Sequence, residues 1–445
     1  MFILRNILSP LQQEFKHRCK GDERGVWFAY TLLAVITHFT SSRTSNLLRC
    51  LQTLFELPLG RRRFYTFMAS PKLPWSRLWT AMWSLIPNPT TKGRLLLALD
   101  DFINPKTGKN IFGCAPFFDH AAKTNQSKYP WSQNIVSIGL LKIVKARWAC
   151  LPLAFRFYHM KKTIDAGKVK INGKIPPFQK KFVQAVEMLS EISIAFRDIP
   201  LLIVTDSWFG NDGLFKPMRK TIGQHTHILS RLRVNTTLYA LPCKRSKHHR
   251  GRSRKYGDKM GNAASLADEF QMHATTFSVN LYGKQRDVTA FDKIMMLKTL
   301  KCAVRVVWIY RRSQWVALFT TDLDLTVEQI VEYYGARWKI EAGFKEIKQE
   351  IGSSKSQTRN YHAVTNHLNF CMMAATVTWI YAHHLDKTPQ RCYAVNNRSH
   401  FAFSDISVRK LITQAALDKD FVGFCPKPGK PKQNSFISAL LRMVA

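Results

Sequence analysis

The chain has 445 residues, with 67 Lys or Arg against 29 Asp or Glu and a formal net charge of +38. Such an excess is costly in self-repulsion unless a polyanion is bound, so DNA or RNA is the expected partner. With 46% apolar and 12% aromatic residues, the chain is neither a disordered basic tail nor a histone-like protein, and it can build a core of two or three domains.

Residues 1–90 carry twelve Lys or Arg against four acids, with aromatic and aliphatic side chains at three- and four-residue spacing. That pattern predicts helices. A helix over 41–55, a turn at Leu57-Pro-Leu-Gly60 and a second helix entered by Arg61-Arg-Arg63 resemble a helix-turn-helix loosely, and a plain helical bundle fits equally well. Either way this region is expected to be a DNA-binding domain. Residues 1–10 lack a leader's cleavage-site pattern. The apolar stretches 26–39 and 368–382 fall short of the ~20 residues a membrane span needs and are expected to be buried helices.

From residue 94 the periodicity changes. Leu95-Leu-Leu-Ala-Leu99 reads as a buried strand ending in Asp100-Asp101, and further strands are expected at 134–143 and 147–157. An amphipathic helix over 178–196 places Phe182, Val183, Val186, Leu189 and Ile192 on one side. Leu201-Leu-Ile-Val-Thr205 is another apolar strand ending in an acid, Asp206. Strands, a crossover helix, a strand ending in Asp and a later helix bearing Glu341 make the order of an α/β, RNase H-like core.

The interval between Asp206 and Glu341 exceeds what such a core needs. It contains strand-like segments at 277–282, 303–310 and 314–320, the last two joined by Arg311-Arg-Ser313 as a hairpin turn, so a mostly β insertion is expected. It also contains the densest charge run, residues 243–259, with eight Lys or Arg, among them Arg250, Arg252, Arg254 and Lys255, against one Asp. Two readings stand: a loop that orders on phosphates or in a minor groove, and a solvated loop with only electrostatic contact. Arg250-Gly-Arg-Ser-Arg254 is similar to an AT-hook, except that Ser253 replaces the expected Pro.

Thr326 and Gln329 form a capping-box pattern ahead of Val327, Ile330, Val331 and Tyr334, and Gly352 is a suitable stop, so one helix is expected over 326–352. On it Tyr334, Arg337, Glu341 and Lys348 fall within an arc of roughly 60°. One acid flanked by two cations and a phenol suits metal binding and a phosphate grip, although a solvated face with an Arg337–Glu341 pair has the same spacing. The organisation expected is therefore a helical region 1–90, the first part of the core 91–218, a basic β insertion 219–325, the last part of the core 326–390 and a basic region 391–445 that is a candidate for dimerisation.

The order Tyr-x2-Arg-x3-Glu-x6-Lys resembles the signature of the insertion-sequence-four type of DDE transposases, and all four positions match. Asp100-Asp101-Phe102 followed by Pro105-Lys106-Thr107-Gly108-Lys109 is similar to the family's Asp-Asp-Thr and Pro-Lys-x-Gly-Lys stretch, with Phe102 in place of Thr. The resemblance implies Asp101, Asp206 and Glu341 as ligands of two Mg2+ or Mn2+ ions; neighbouring strand residues face opposite ways, so only one of Asp100 and Asp101 enters the site, and the second is carried over. It further implies double-stranded DNA as substrate, with Arg337 and Lys348 on phosphates and Tyr334 on the backbone, a homodimer in the synaptic complex, and a prokaryotic, cytoplasmic, nucleoid-associated protein. A non-catalytic DNA-binding descendant and another RNase H-like nuclease remain as alternatives. Nine cysteines without a Cys-x2-Cys pair point to a reducing compartment, and the lack of a Walker A or dinucleotide glycine pattern implies no nucleotide cofactor. The pairs His248-His249 and His383-His384 lack the partners of a zinc site.

Overall fold

Helices come first, as the three- and four-residue spacing requires. The computed structural model describes residues 2–16, 20–37, 41–120, 122–242, 254–281, 283–311, 314–385, 390–395, 398–403 and 405–416. Helices α1 (Phe2–Gln13), α2 (Gly21–Thr37), α3 (Thr44–Thr53), α4 (Arg61–Met68) and α5 (Trp75–Ser84) precede the first strand. Their apolar side chains do not form a core of their own. They share one hydrophobic cluster with the sheet and with a later helix, through contacts such as Phe28 against Phe370 at 5.3 Å between ring centroids.

The sheet begins with β1 (Leu95–Pro105), β2 (Cys114–Pro116), β3 (Trp131–Val144) and β4 (Arg147–Tyr158). A short helix α6 (Lys161–Asp165) and the crossover helix α7 (Lys181–Ala195) lead to β5 (Leu201–Thr205), α8 (Asp212–Thr221) and β6 (Thr226–Arg231). Side by side these strands run β4, β3, β1, β5, β6, with β3 antiparallel to both its neighbours and β5 and β6 parallel to β1. This mixed order is consistent with an RNase H-like nuclease. Leu95 to Leu99 and Leu201 to Val204 are buried, because parallel strands covered on both faces bury every residue.

The insertion adds β7 (Thr237–Tyr239), β8 (Lys259–Asn262), α9 (Ala263–Phe270), β9 (Thr275–Leu281), β10 (Lys284–Leu297), β11 (Cys302–Arg311) and β12 (Gln314–Thr320). These strands extend the same sheet: β12 pairs with β6, and β11, β10 and β7 follow. The longest, β10, has no counterpart in the apolar pattern, because its first half is mostly exposed and polar.

The expected helix over 326–352 is broken into three pieces. α10 (Val327–Ala336) starts with the capping box, Thr326 Oγ1 accepting from Gln329 N at 3.3 Å and Gln329 Oε1 from Thr326 N at 3.0 Å. α11 (Trp338–Lys345) follows, and a π-helical turn, Glu346–Glu350, ends before Gly352 at φ +82°. Beyond them α12 (Tyr361–His384) is buried nearly all round, β13 (Gln390–Val395) pairs with β14 (Arg398–Phe403), and α13 (Asp405–Ala416) packs on α2 and α12. Among the described residues no helix is long and apolar enough to cross a membrane.

Candidate active site

Strand pairing decides which acids meet. β1 and β5 are parallel with Leu99 opposite Thr205, so the next residues, Asp100 and Asp206, continue the same register on adjacent strands and share a face. Both follow runs of five strand residues, Leu95–Leu99 and Leu201–Thr205, and the equal spacing brings Asp100 level with Asp206 because the two runs pair in register. Burial pushes the Asp100 carboxyl up to about 7; Arg337 opposes that shift and nearby Asp206 adds to it. Asp206 is held by its own loop, where Oδ1 accepts the Trp208 and Phe209 N–H groups at 3.0 Å each. Gly210 is required there, because a Cβ would collide with Ser230 Oγ, which donates to the Asp206 carbonyl at 2.7 Å.

Arg337 joins the two halves of the core. It is buried at the junction of α10 and α11, with Nη1 3.0 Å from Asp100 Oδ2 and Nη2 3.0 Å from Glu341 Oε1. The Tyr334 and Trp338 rings lie near its guanidinium, at 5.7 and 5.4 Å, and burial raises the Tyr334 phenol. The Arg337 Nε is buried, with no hydrogen-bond partner among the described residues. Glu341 is 40% exposed, open to solvent as Arg337 is not.

Asp101 faces the other side of the sheet, an outcome opposite to the carry-over from the family pattern. Lys181 Nζ lies 2.8 Å from its Oδ2 and Asn134 Nδ2 donates to the same oxygen at 3.0 Å. The physical reason is the strand's alternation: Asp100 and Phe102 point toward α11, and Asp101 toward α7. Among the described residues no three His, Cys, Asp or Glu side chains converge closely enough to hold a metal ion by themselves.

Lys348 lies in the π-helical turn rather than on a regular helix. Its Nζ lies 5.9 Å from the Phe102 ring centroid, and burial lowers its pKa. Phe102 in turn stacks on Phe344, so an aromatic ring fills the position at which a Thr was expected. Lys106 directly follows the end of β1. It is buried, held near 8 by desolvation, and donates to the carbonyls of Ser353 at 2.7 Å and Ser356 at 3.3 Å, tying the end of β1 to the loop after the π-helical turn. Of the basic loop, Arg250 and Arg252 lie outside the described residues, whereas Arg254 and Lys255 are exposed and Arg254 makes a long contact to Asp258 at 3.9 Å. The tail residues 425–432 and the pair His248-His249 also lie outside the described residues.

No curated protein matches the chain. The family described as DDE superfamily endonuclease matches residues 23–287, which hold Asp100 and Asp206 and end before α10. A match over more than half of the chain, on a mixed sheet whose parallel strands deliver two aspartates to one face, makes this protein a member of the DDE superfamily endonucleases, a family that implies nuclease or transposase activity on DNA.

Proposed function

We propose that the protein is an insertion-sequence transposase of the insertion-sequence-four type, cutting and joining DNA at terminal inverted repeats with Asp100, Asp206 and Glu341. The observation that carries this reading is the double ion pair of Arg337 with Asp100 and Glu341, beside Asp206 on the neighbouring strand. A buried Arg between acids is a group whose partners a DNA phosphate can replace, since guanidinium suits phosphate as well as carboxylate.

The donor set fits Mg2+ or Mn2+. Both are hard cations that take carboxylate oxygens, and Mg2+ is commonly held by one or two carboxylates completed by water and substrate phosphate. Asp100 and Asp206 on one face meet that need, and a cation would offset the burial, with the added charge of Asp206, that lifts the Asp100 carboxyl. Bound there, divalent ions would activate the attacking oxygen and stabilise the leaving 3' oxygen. The protein's own part is to orient: Trp208 and Phe209 amides fix Asp206, Arg337 moves from carboxylate to phosphate, and Lys348 and Tyr334 flank the DNA backbone. A homodimer on paired double-stranded ends and phosphate contacts by Arg250, Arg252, Arg254 and Lys255 complete the proposal.

The test is Glu341→Gln. Strand cleavage in Mg2+ is expected to vanish while binding to the element's ends stays within about twofold, because no phosphate contact is removed. Cleavage at the wild-type rate would overturn Glu341 as a catalytic group. A nuclease of another kind would cut without needing terminal inverted repeats, and a non-catalytic descendant would bind them without cutting.

A further inference from the structure

Lys106 is a buried cation served by no acid. Among the described residues the titratable groups that face it are the thiols of Cys114 on β2 and Cys371 on α12, both pushed up to about 12 by burial and therefore neutral. Desolvation brings its own pKa down to about 8, so the ammonium is still charged at neutral pH. A buried charge without a counter-ion is unfavourable unless hydrogen bonds compensate it. Here they come from one stretch of backbone, the carbonyls of Ser353 at 2.7 Å and Ser356 at 3.3 Å. That loop leaves the π-helical turn through Gly352, and within it Ser354 Oγ donates to the carbonyl of Lys348 at 2.8 Å. Lys348 Nζ in turn lies 5.9 Å from the Phe102 ring of β1, with Asp119 near enough to favour its charged form.

We propose that Lys106 is a positioning residue for DNA: through the loop 353–356 and the Ser354 hydroxyl it holds Lys348 against β1, where the Lys348 ammonium meets a phosphate. A Met of similar length at position 106 would avoid the desolvation of a charge, yet it would leave the carbonyls of two buried serines without their donor. The cation thus serves a turn of chain and not an acid. Its benefit falls on Lys348, whose long side chain has much rotamer freedom to lose. Fixing the backbone from which that side chain springs lowers the entropy lost when the ammonium grips a phosphate.

The proposal rests on Lys348 as a phosphate contact, and that step is tested by a variant of its own. Binding of the full-length protein to a duplex of arbitrary sequence and about 20 base pairs, roughly two helical turns, is measured at neutral pH across a salt series. Lys348→Ala is expected to flatten the slope of log affinity against log salt by about 0.9, one phosphate contact, and to weaken binding about 5- to 10-fold at about 0.1 M salt. Lys106→Met should do the same although its side chain is buried, and the double variant should bind no worse than either alone. A fold merely weakened would bind less at every salt with the slope unchanged. An unchanged slope in Lys106→Met, or an effect that persists in full beside Lys348→Ala, would overturn the proposal, the latter because DNA would then sense the Lys106 charge directly. No effect of Lys348→Ala would instead remove the phosphate contact, and the proposal with it. Ser354→Ala decides the matter if Lys106→Met folds poorly. It deletes only the bond to the Lys348 carbonyl and is expected to flatten the slope in the same direction, with nothing further lost beside Lys348→Ala; binding equal to wild type would tell against the whole linkage.

Discussion

The rings of Phe102 and Phe344 stack 4.2 Å apart, and this contact fixes which face of β1 is covered by α11. Phe102 shares its face with Asp100, and Phe344 lies one helical turn beyond Glu341, so the pair aligns the two halves of the candidate site. Both rings are buried.

Phe102→Ala is therefore expected to lower stability by about 3–5 kcal/mol, the usual cost of deleting a buried ring. A double-mutant cycle with Phe344→Ala should give a coupling of about 0.5–1.5 kcal/mol by urea denaturation. Additive losses would mean that the rings are merely neighbours.

Asp100→Asn and Asp101→Asn should separate cleanly. The first removes a proposed metal ligand and is expected to reduce Mg2+-dependent cleavage more than about 100-fold, beyond what loss of an outer partner costs. The second loosens Lys181 and is expected to cost about tenfold or less. The reverse order of effects would assign the ligand to Asp101.

Acid sensitivity has a specific source in His159, which burial holds down at about 4, from an ordinary value of 6.5. A depressed histidine contributes stability that is complete above the unfolded pKa and is lost as the pH falls through the folded one. Between pH 6.5 and 4 the wild-type protein should therefore lose about 2–3 kcal/mol more than His159→Phe, some allowance being made for the ring's partial exposure. Urea midpoints measured at pH 7 and pH 4 check this, and equal losses would show that the imidazole is not kept neutral by the fold.

For the basic loop the expected signature is a salt dependence. Replacing Arg250, Arg252, Arg254 and Lys255 by Ala should flatten the slope of log affinity against log salt by roughly two to four, since each phosphate neutralised contributes about 0.9. Equal weakening on the element's end and on unrelated duplex supports phosphate tracking. Loss confined to the end sequence would mean readout of bases or groove shape.

Much of the core was readable because burial writes itself as apolar runs. Leu201–Thr205 was bounded to the residue, and the strands 134–143 and 147–157 lie inside β3 and β4. The capping box at Thr326 was equally readable, being a local hydrogen-bond exchange. What failed was non-local. Strand β10 pairs with β11 and β9 through backbone hydrogen bonds while the side chains of its first half stay mostly exposed, so hydrophobicity marks only its buried end, Met295 to Leu297. The π-helical turn leaves no pattern that a 3.6-residue template detects. The choice within Asp100-Asp101 needed the pairing register of a strand about a hundred residues away.

The joining of the insertion to the core sheet has a metrical consequence. From β5, which ends at Thr205 just before Asp206, to β7, the ladder takes five steps through β6, β12, β11 and β10. At about 4.8 Å per step that is roughly 24 Å, or about seven base pairs at 3.4 Å each. A hydrogen-bonded sheet behaves as a caliper of fixed opening. Where the backbone is gripped and where it is broken would then be separated by a length counted in strands, whatever the bases between them.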